Sequence, residues 1–234
     1  MYTENYKVRY SETDEELVSS VPSVMAYLQD ASINHSESES KKATVPEAEN
    51  TVWILAGWHI KINRFPTLYE NISVNTWSTG FKNMYGYRNF HLLDKDKNIL
   101  ALASSVWLYY DYKNMKFQRV SEDYASLMGE ENIPVFEDDK AYKLKKAESY
   151  NKKCEITVLK SDIDSNSHVN NISYISYIIN AFPELNITEF KIQYKKQALL
   201  GDRINVLYNF GSDIKKIMLT DSNGETLILA DIIK

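Results

Sequence analysis

The chain reads as an α+β protein in which a curved antiparallel sheet wraps a single central helix, and in which that unit is built twice. Three internal matches predict this. Ser11-Glu12-Thr13-Asp14 recurs as Ser161-Asp162-Ile163-Asp164, and in the same register Met25-Ala26-Tyr27-Leu28 lies over Ile175-Ser176-Tyr177-Ile178. Ile60-Lys61-Ile62-Asn63-Arg64 lies over Ile192-Gln193-Tyr194-Lys195-Lys196, and further on Tyr69-Glu70-Asn71-Ile72 lies over Gly201-Asp202-Arg203-Ile204. Asp94-Lys95-Asp96-Lys97-Asn98 lies over Asp221-Ser222-Asn223-Gly224-Glu225. Matches between apolar patterns are common singly, but three in one order mark a duplication. Each alternating strand offers one apolar face, and a helix is the economical cover for it.

Each copy opens with a strand and an acidic loop, followed by a helix. Val21, Val24, Met25, Leu28 and Ala31 mark one helical face in the first copy, and Ile172, Ile175, Ile178, Ile179 and Phe182 mark one in the second. Ser20 is placed to cap the first helix with Pro22 in its first turn, and Asn170 or Asn171 to cap the second. Pro183 stands where the second helix should stop. The polar stretch 36–50 reads as a loop inserted in the first copy. Alternating strands and hairpin turns complete each copy. Residues 1–120 are therefore expected to form an N-terminal domain that supplies a pocket, and 151–234 a C-terminal domain that carries the chemistry. Residues 121–150, with clustered charges, read as a linker with a short helix near 122–128.

Composition narrows the function classes. The 234 residues include 17 Tyr, 8 Phe and 4 Trp, ample for two cores, whereas only 7 Gly and 5 Pro speak against Gly-rich phosphate loops. A net charge of −5 gives no footprint for nucleic acid. The single Cys154 excludes an internal disulfide and fits a reducing compartment, so a cytoplasmic protein is expected. No stretch approaches the ~18 apolar residues of a membrane span, and no membrane partner is expected. The four His are too scattered for a zinc site, and no cofactor or metal is expected.

Chemistry concentrates in Asp164-Ser165-Asn166-Ser167-His168-Val169-Asn170-Asn171, which sets a carboxylate, an amide and an imidazole at alternating positions before a helix. A general base, a group to orient it and a helix N-terminus then share one loop. The alternative is purely structural, with Asp164 and Asn166 making Asx turns that cap the helix. Calcium is disfavoured, because an EF-hand loop needs Gly and Glu where Ser167 and Ser173 stand. In the first copy Glu16 and Val18 occupy the places of Asn166 and His168, so only the second copy holds the full polar set.

These residues carry a resemblance. The Asp164-x-Asn166-x-His168-Val-Asn-Asn run, followed by Tyr174-Ile175, resembles the signature of acyl-acyl carrier protein thioesterases. Trp53-Ile54-Leu55 followed by His59-Ile60-Lys61-Ile62-Asn63-Arg64-Phe65-Pro66 is similar to that family's first-domain strand signature. The resemblance implies a tandem hot-dog fold and hydrolysis of the thioester between a fatty acyl chain and the phosphopantetheine arm of acyl carrier protein, in fatty acid biosynthesis. It implies that Asp164 attacks the thioester or activates water, that Asn166 and His168 position it, and that backbone amides near Val169 and Asn170 steady the oxyanion. The family's further Glu, which follows a Tyr-basic-basic run, falls on Gln197 here. An amide orients by hydrogen bonds but takes no proton at neutral pH. Ala198 stands where some relatives carry Cys, so no thiol mechanism is available there. Carrier docking would use Lys152-Lys153, Lys195-Lys196, or Lys113 and Lys116 with Arg119. Two other readings stay open, a coenzyme A thioesterase and a non-catalytic acyl-binding protein, with the chain a monomer or a homodimer.

Overall fold

The computed structural model describes residues 1–40, 50–137, 143–211 and 213–233. The chain forms two compact units, one of Met1–Ala56 with Ile60–Asp139 and the other of Gly57–His59 with Lys140–Lys234. Each repeats the predicted order of strand, helix and antiparallel strands.

In the first unit β1 (Tyr2–Lys7) is followed by α1 (Val21–Ser40), then by β2 (Thr51–Ile62), β3 (Asn71–Lys82), β4 (Tyr85–Asp94), β5 (Ile99–Asp111) and the short β6 (Lys116–Phe117). The sheet runs β1-β3-β4-β5-β2, with β6 paired to β5. Helix α1 begins where Ser20 Oγ accepts the Ser23 N–H at 3.2 Å, and its carbonyl accepts the Val24 N–H at 3.0 Å. All five residues of the predicted face, Val21, Val24, Met25, Leu28 and Ala31, are buried. They share the core with Val74, Phe90 and Leu92 from the inward positions of β3 and β4. Truncating such side chains costs about 2–5 kcal/mol each, so this helix cannot be displaced cheaply.

The helix outruns its expected end. Residues 36–40, expected as loop, are helical, while 41–49 of the same expectation lie outside the described residues. The cause is tertiary: His35 is buried and its Nδ1 sits 2.7 Å from an Arg88 nitrogen, which anchors a turn whose composition is polar.

In the second unit β7 (Asn151–Thr157) and α3 (Asn171–Ala181) precede β8 (Glu189–Tyr194), β9 (Arg203–Asn209), β10 (Lys215–Thr220) and β11 (Thr226–Ile233), with sheet order β8-β11-β10-β9-β7. Asn170 caps α3 by accepting the Ile172 N–H at 2.9 Å, and the helix ends at Phe182, before Pro183. Its buried face is rotated from the predicted one. Tyr174, Ile175, Tyr177 and Ile178 are buried, whereas Ile172 and Ile179 are only half-buried, because two tyrosines counted as polar in the pattern take core positions.

The predicted short helix is α2 (Glu122–Met128), capped by Ser121. It belongs to the first unit rather than to a free connector. Tyr124 and Met128 pack with Tyr109 and Val120, and Trp53 and Phe81 close around them. A charged stretch thus contributes an aromatic anchor that its composition hides.

Candidate active site and its first-unit counterpart

The duplication is exact at the level of hydrogen bonds. Asp164 Oδ1 accepts the N–H groups of Asn166 at 2.8 Å and His168 at 3.3 Å, and the Asp164 N–H donates to the His168 carbonyl at 2.8 Å. In the first unit Asp14 Oδ1 accepts the N–H groups of Glu16 and Val18 at 3.0 Å each, and its N–H donates to the Val18 carbonyl at 2.9 Å. The tip residues Ser167 and Leu17 both take left-handed backbone, at φ 65° and φ 61°. The hairpins match equally. Asp94 Oδ1 gathers the N–H groups of Asp96 and Asn98 as Asp221 Oδ1 gathers those of Asn223 and Glu225.

This comparison separates structural from chemical duty. One oxygen of Asp164 is spent on an Asx turn that Asp14 makes equally well without imidazole or amide nearby. The structural alternative is therefore present, and it occupies half of the carboxylate. What the second loop adds is Asn166, exposed, and His168, half-buried, in place of Glu16 and Val18. The His168 Nδ1 is buried with no hydrogen-bond partner among the described residues.

The loop is tied down through its neighbours. The Val169 N–H donates to the Ala198 carbonyl at 3.0 Å, and the Ala198 N–H donates to the Tyr174 hydroxyl oxygen at 3.0 Å. Gln197 is thereby held one residue from a direct backbone link to the residue after His168. Its own side chain is exposed. Among the described residues no hydrogen bond from side chain to side chain joins Asp164, Asn166, His168 and Gln197; the Asp164 carboxylate meets the other two loop residues only at their backbone N–H groups. The backbone brings these four into one neighbourhood without locking their side chains together.

Two expectations are corrected here. The Val169 and Asn170 amides, expected to steady an oxyanion, are already committed: Val169 donates to Ala198, and Asn170 donates to the Asp162 carbonyl at 2.8 Å. Loop closure in both copies needs these bonds, since Ser19 donates to the Pro66 carbonyl in the same way. Lys196 is also unavailable for docking. It is bound to Asp221 at 2.9 Å and to Glu225, and these two carboxylates hold its ammonium well above the usual lysine range.

Tyr174 links helix to loop and is 1% exposed. Burial pushes its phenol up to about 12, so it stays neutral and able to accept. Tyr174→Phe leaves the buried Ala198 N–H unpaired, which costs about 1–3 kcal/mol. Thermal melts are expected to register that loss, accompanied by a fall in turnover as the tie between residues 169 and 198 slackens. A variant as stable as wild type would remove Tyr174 from the support of the loop.

The first unit, where a pocket was expected, holds a cavity of about 440 Å³ whose lining the sequence did not single out, with Trp53, Phe81, Gly86, Arg88, Trp107 and Met128 among its walls. Trp53 is fixed by its indole N–H donating to the Tyr124 hydroxyl at 3.0 Å and by the Tyr109 ring at 4.8 Å. Arg88 donates through one terminal nitrogen to His35 Nδ1 at 2.7 Å and to Thr76 Oγ1 at 3.2 Å. A guanidinium can only donate, so the His35 ring is neutral with its proton on Nε2. The signal for this cavity was present. On β4 the inward positions Gly86, Arg88, Phe90 and Leu92 include one charge and one missing side chain.

Among the described residues no helix is long and apolar enough to cross a membrane. Known proteins place the chain. The pattern of the acyl-ACP thioesterase N-terminal domain matches residues 1–128, and that of the C-terminal domain matches 144–230. An acyl-[acyl-carrier-protein] hydrolase of Cuphea viscosissima is 31% identical over 199 residues, 78% of this chain and 47% of its own length. A palmitoyl-acyl carrier protein thioesterase of Cuphea hookeriana is 30% identical over the same shares. The chain thus spans about half the length of these relatives. An acyl-ACP thioesterase of Bacteroides thetaiotaomicron shares the fold with a TM-score of 0.86 at 23% identity, over 99% of this chain and 96% of that one. With the two domain patterns lying in order along the sequence and the first alone spanning more than half of it, this chain belongs to the acyl-ACP thioesterase family.

Proposed function

We propose that the protein hydrolyses the thioester of a fatty acyl chain carried by acyl carrier protein, releasing free fatty acid in fatty acid biosynthesis. The observation that carries the reading is the unequal pair of loops. Both keep the same Asp-centred scaffold, and only the second adds an amide and an imidazole. Family membership and the acyl-carrier-protein substrates named for the plant relatives support it.

In this reading the Asp164 carboxylate, through the oxygen left outside the Asx turn, activates water or attacks the thioester carbonyl. Asn166 and His168 orient the reacting group, and Gln197 contributes hydrogen bonds from the neighbouring segment. The first unit supplies the acyl pocket, a division of labour supported by its aromatic-walled cavity. Lys113, Lys116 and Arg119 support carrier docking, since all three are exposed and none forms an ion pair among the described residues. A cytoplasmic setting is supported by the lone Cys154; the two Cuphea relatives are themselves named as chloroplastic.

The test is fatty acid release from acyl-carrier-protein thioesters of graded chain length, run beside the matched coenzyme A esters. Faster turnover of the carrier esters is expected. Preference for the coenzyme A esters would reassign the leaving group, and no release from any ester would leave only acyl binding. Gln197→Glu restores a proton acceptor. A gain in rate of about tenfold or more, within the range of general-base effects, is expected if the amide limits turnover. No gain means that orientation by Gln197 already suffices.

A further inference from the structure

We propose that the first-unit cavity is a binding site for a carboxylate at the end of an aliphatic chain, with Arg88 as its anion receptor. Arg88 is only 6% exposed and lines the cavity, yet its hydrogen-bond partners, His35 and Thr76, are both neutral. No carboxylate forms an ion pair with it among the described residues. A buried guanidinium without a counter-ion is expensive to keep, and such charges are ordinarily paired. Burial also pushes its pKa down to about 10, which still leaves it charged at neutral pH.

The cavity walls fit the rest of such a ligand. Trp53, Phe81, Trp107 and Met128 offer an apolar lining, while Ser32 and Ser78 add hydroxyls to the polar part of the wall. Glu37 also faces the cavity, and it is engaged with a partner of its own. An unsubstituted alkyl chain would satisfy the aromatic wall and leave the guanidinium uncompensated. A chain that ends in a carboxylate satisfies both, and guanidinium and carboxylate match as a bidentate pair.

Two sources carry this chemistry: an acyl thioester with a distal carboxyl group, and a free fatty acid. The inference rests on the reading that acyl chains enter this cavity, and its primary test uses binding, so it fails or stands apart from hydrolysis.

Purified protein is titrated with dodecanoate and with dodecanol, following tryptophan fluorescence, in wild type, Arg88→Lys and Arg88→Met. Wild type is expected to bind the acid about tenfold or more tighter than the alcohol, the fold-change a charge-assisted bond supplies. Arg88→Met should bring the acid down to the affinity of the alcohol, and Arg88→Lys should keep part of the preference. Equal binding of acid and alcohol by wild type, or a preference that survives Arg88→Met, overturns the proposal. Should Arg88→Met fail to fold, the wild-type comparison alone decides. A second arm compares the thioester of decanoate with the monothioester of decanedioate, whose distal carboxylate stays free. A KM lower by about tenfold for the latter identifies the distal carboxyl as the ligand. Equal KM values beside tight dodecanoate binding identify the free acid.

Discussion

Asp164→Asn is expected to lower thioester hydrolysis by about 10²–10⁴-fold, the usual range for removing a positioned general base, while leaving the melting temperature unchanged. The reason lies in the two jobs the side chain holds. Its Oδ1 accepts two backbone N–H groups, and an amide oxygen with two lone pairs can accept the same two, so the Asx turn survives the substitution. What Asn lacks is a negative charge and a basic oxygen. Asp14→Asn in the first unit makes the same chemical change in the same turn, with no imidazole or amide beside it. It should leave both rate and stability unaltered. Rates and melts for the two variants therefore form one experiment. If Asp164→Asn turns over like wild type, the residue is a capping group only, as Asp14 is, and the catalytic reading of the loop is wrong.

Gly86→Ala is expected to shift the protein toward shorter acyl chains and to destabilise it by about 1–3 kcal/mol, the cost of overpacking. A Cβ at this position would lie 2.9 Å from two ring atoms of Trp53 and 3.2 Å from a ring atom of Phe81. The Trp53 ring has little freedom, because Tyr124 takes its N–H and Tyr109 packs against it. Either the methyl group protrudes or the indole is driven aside, and in both cases a wall of the cavity moves. Chain-length profiles should show KM rising for the longest thioesters while kcat for the shortest holds. A profile identical to wild type would separate this cavity from the acyl chain.

Much of this architecture was legible without coordinates. The duplication, both helices, their caps and the hairpin turns follow from local rules, because an Asx turn or an N-cap is decided by a few neighbouring residues. The errors share a cause. The helical end at 36–40 depends on Arg88, which is far away in sequence. The rotated face of α3 depends on Tyr174 and Tyr177, whose hydroxyls disguise core residues. The role of 122–128 depends on Tyr124 meeting Trp53 and Tyr109. None of these pairings lies within reach of a local pattern.

The candidate site divides in the same way. The sequence by itself determined which loop holds the carboxylate, amide and imidazole and that its twin lacks two of them, and its resemblance to the family implied a Glu where Gln197 stands. Those are matters of residue identity and spacing. Only the tertiary structure decided that one Asp164 oxygen is consumed by the turn, that the Val169 and Asn170 amides are already bonded, and that Lys196 is neutralised. It alone revealed a cavity with an uncompensated arginine in its wall. Hydrogen-bond capacity is finite, and which partner claims each donor and acceptor is settled only when distant strands and helices meet.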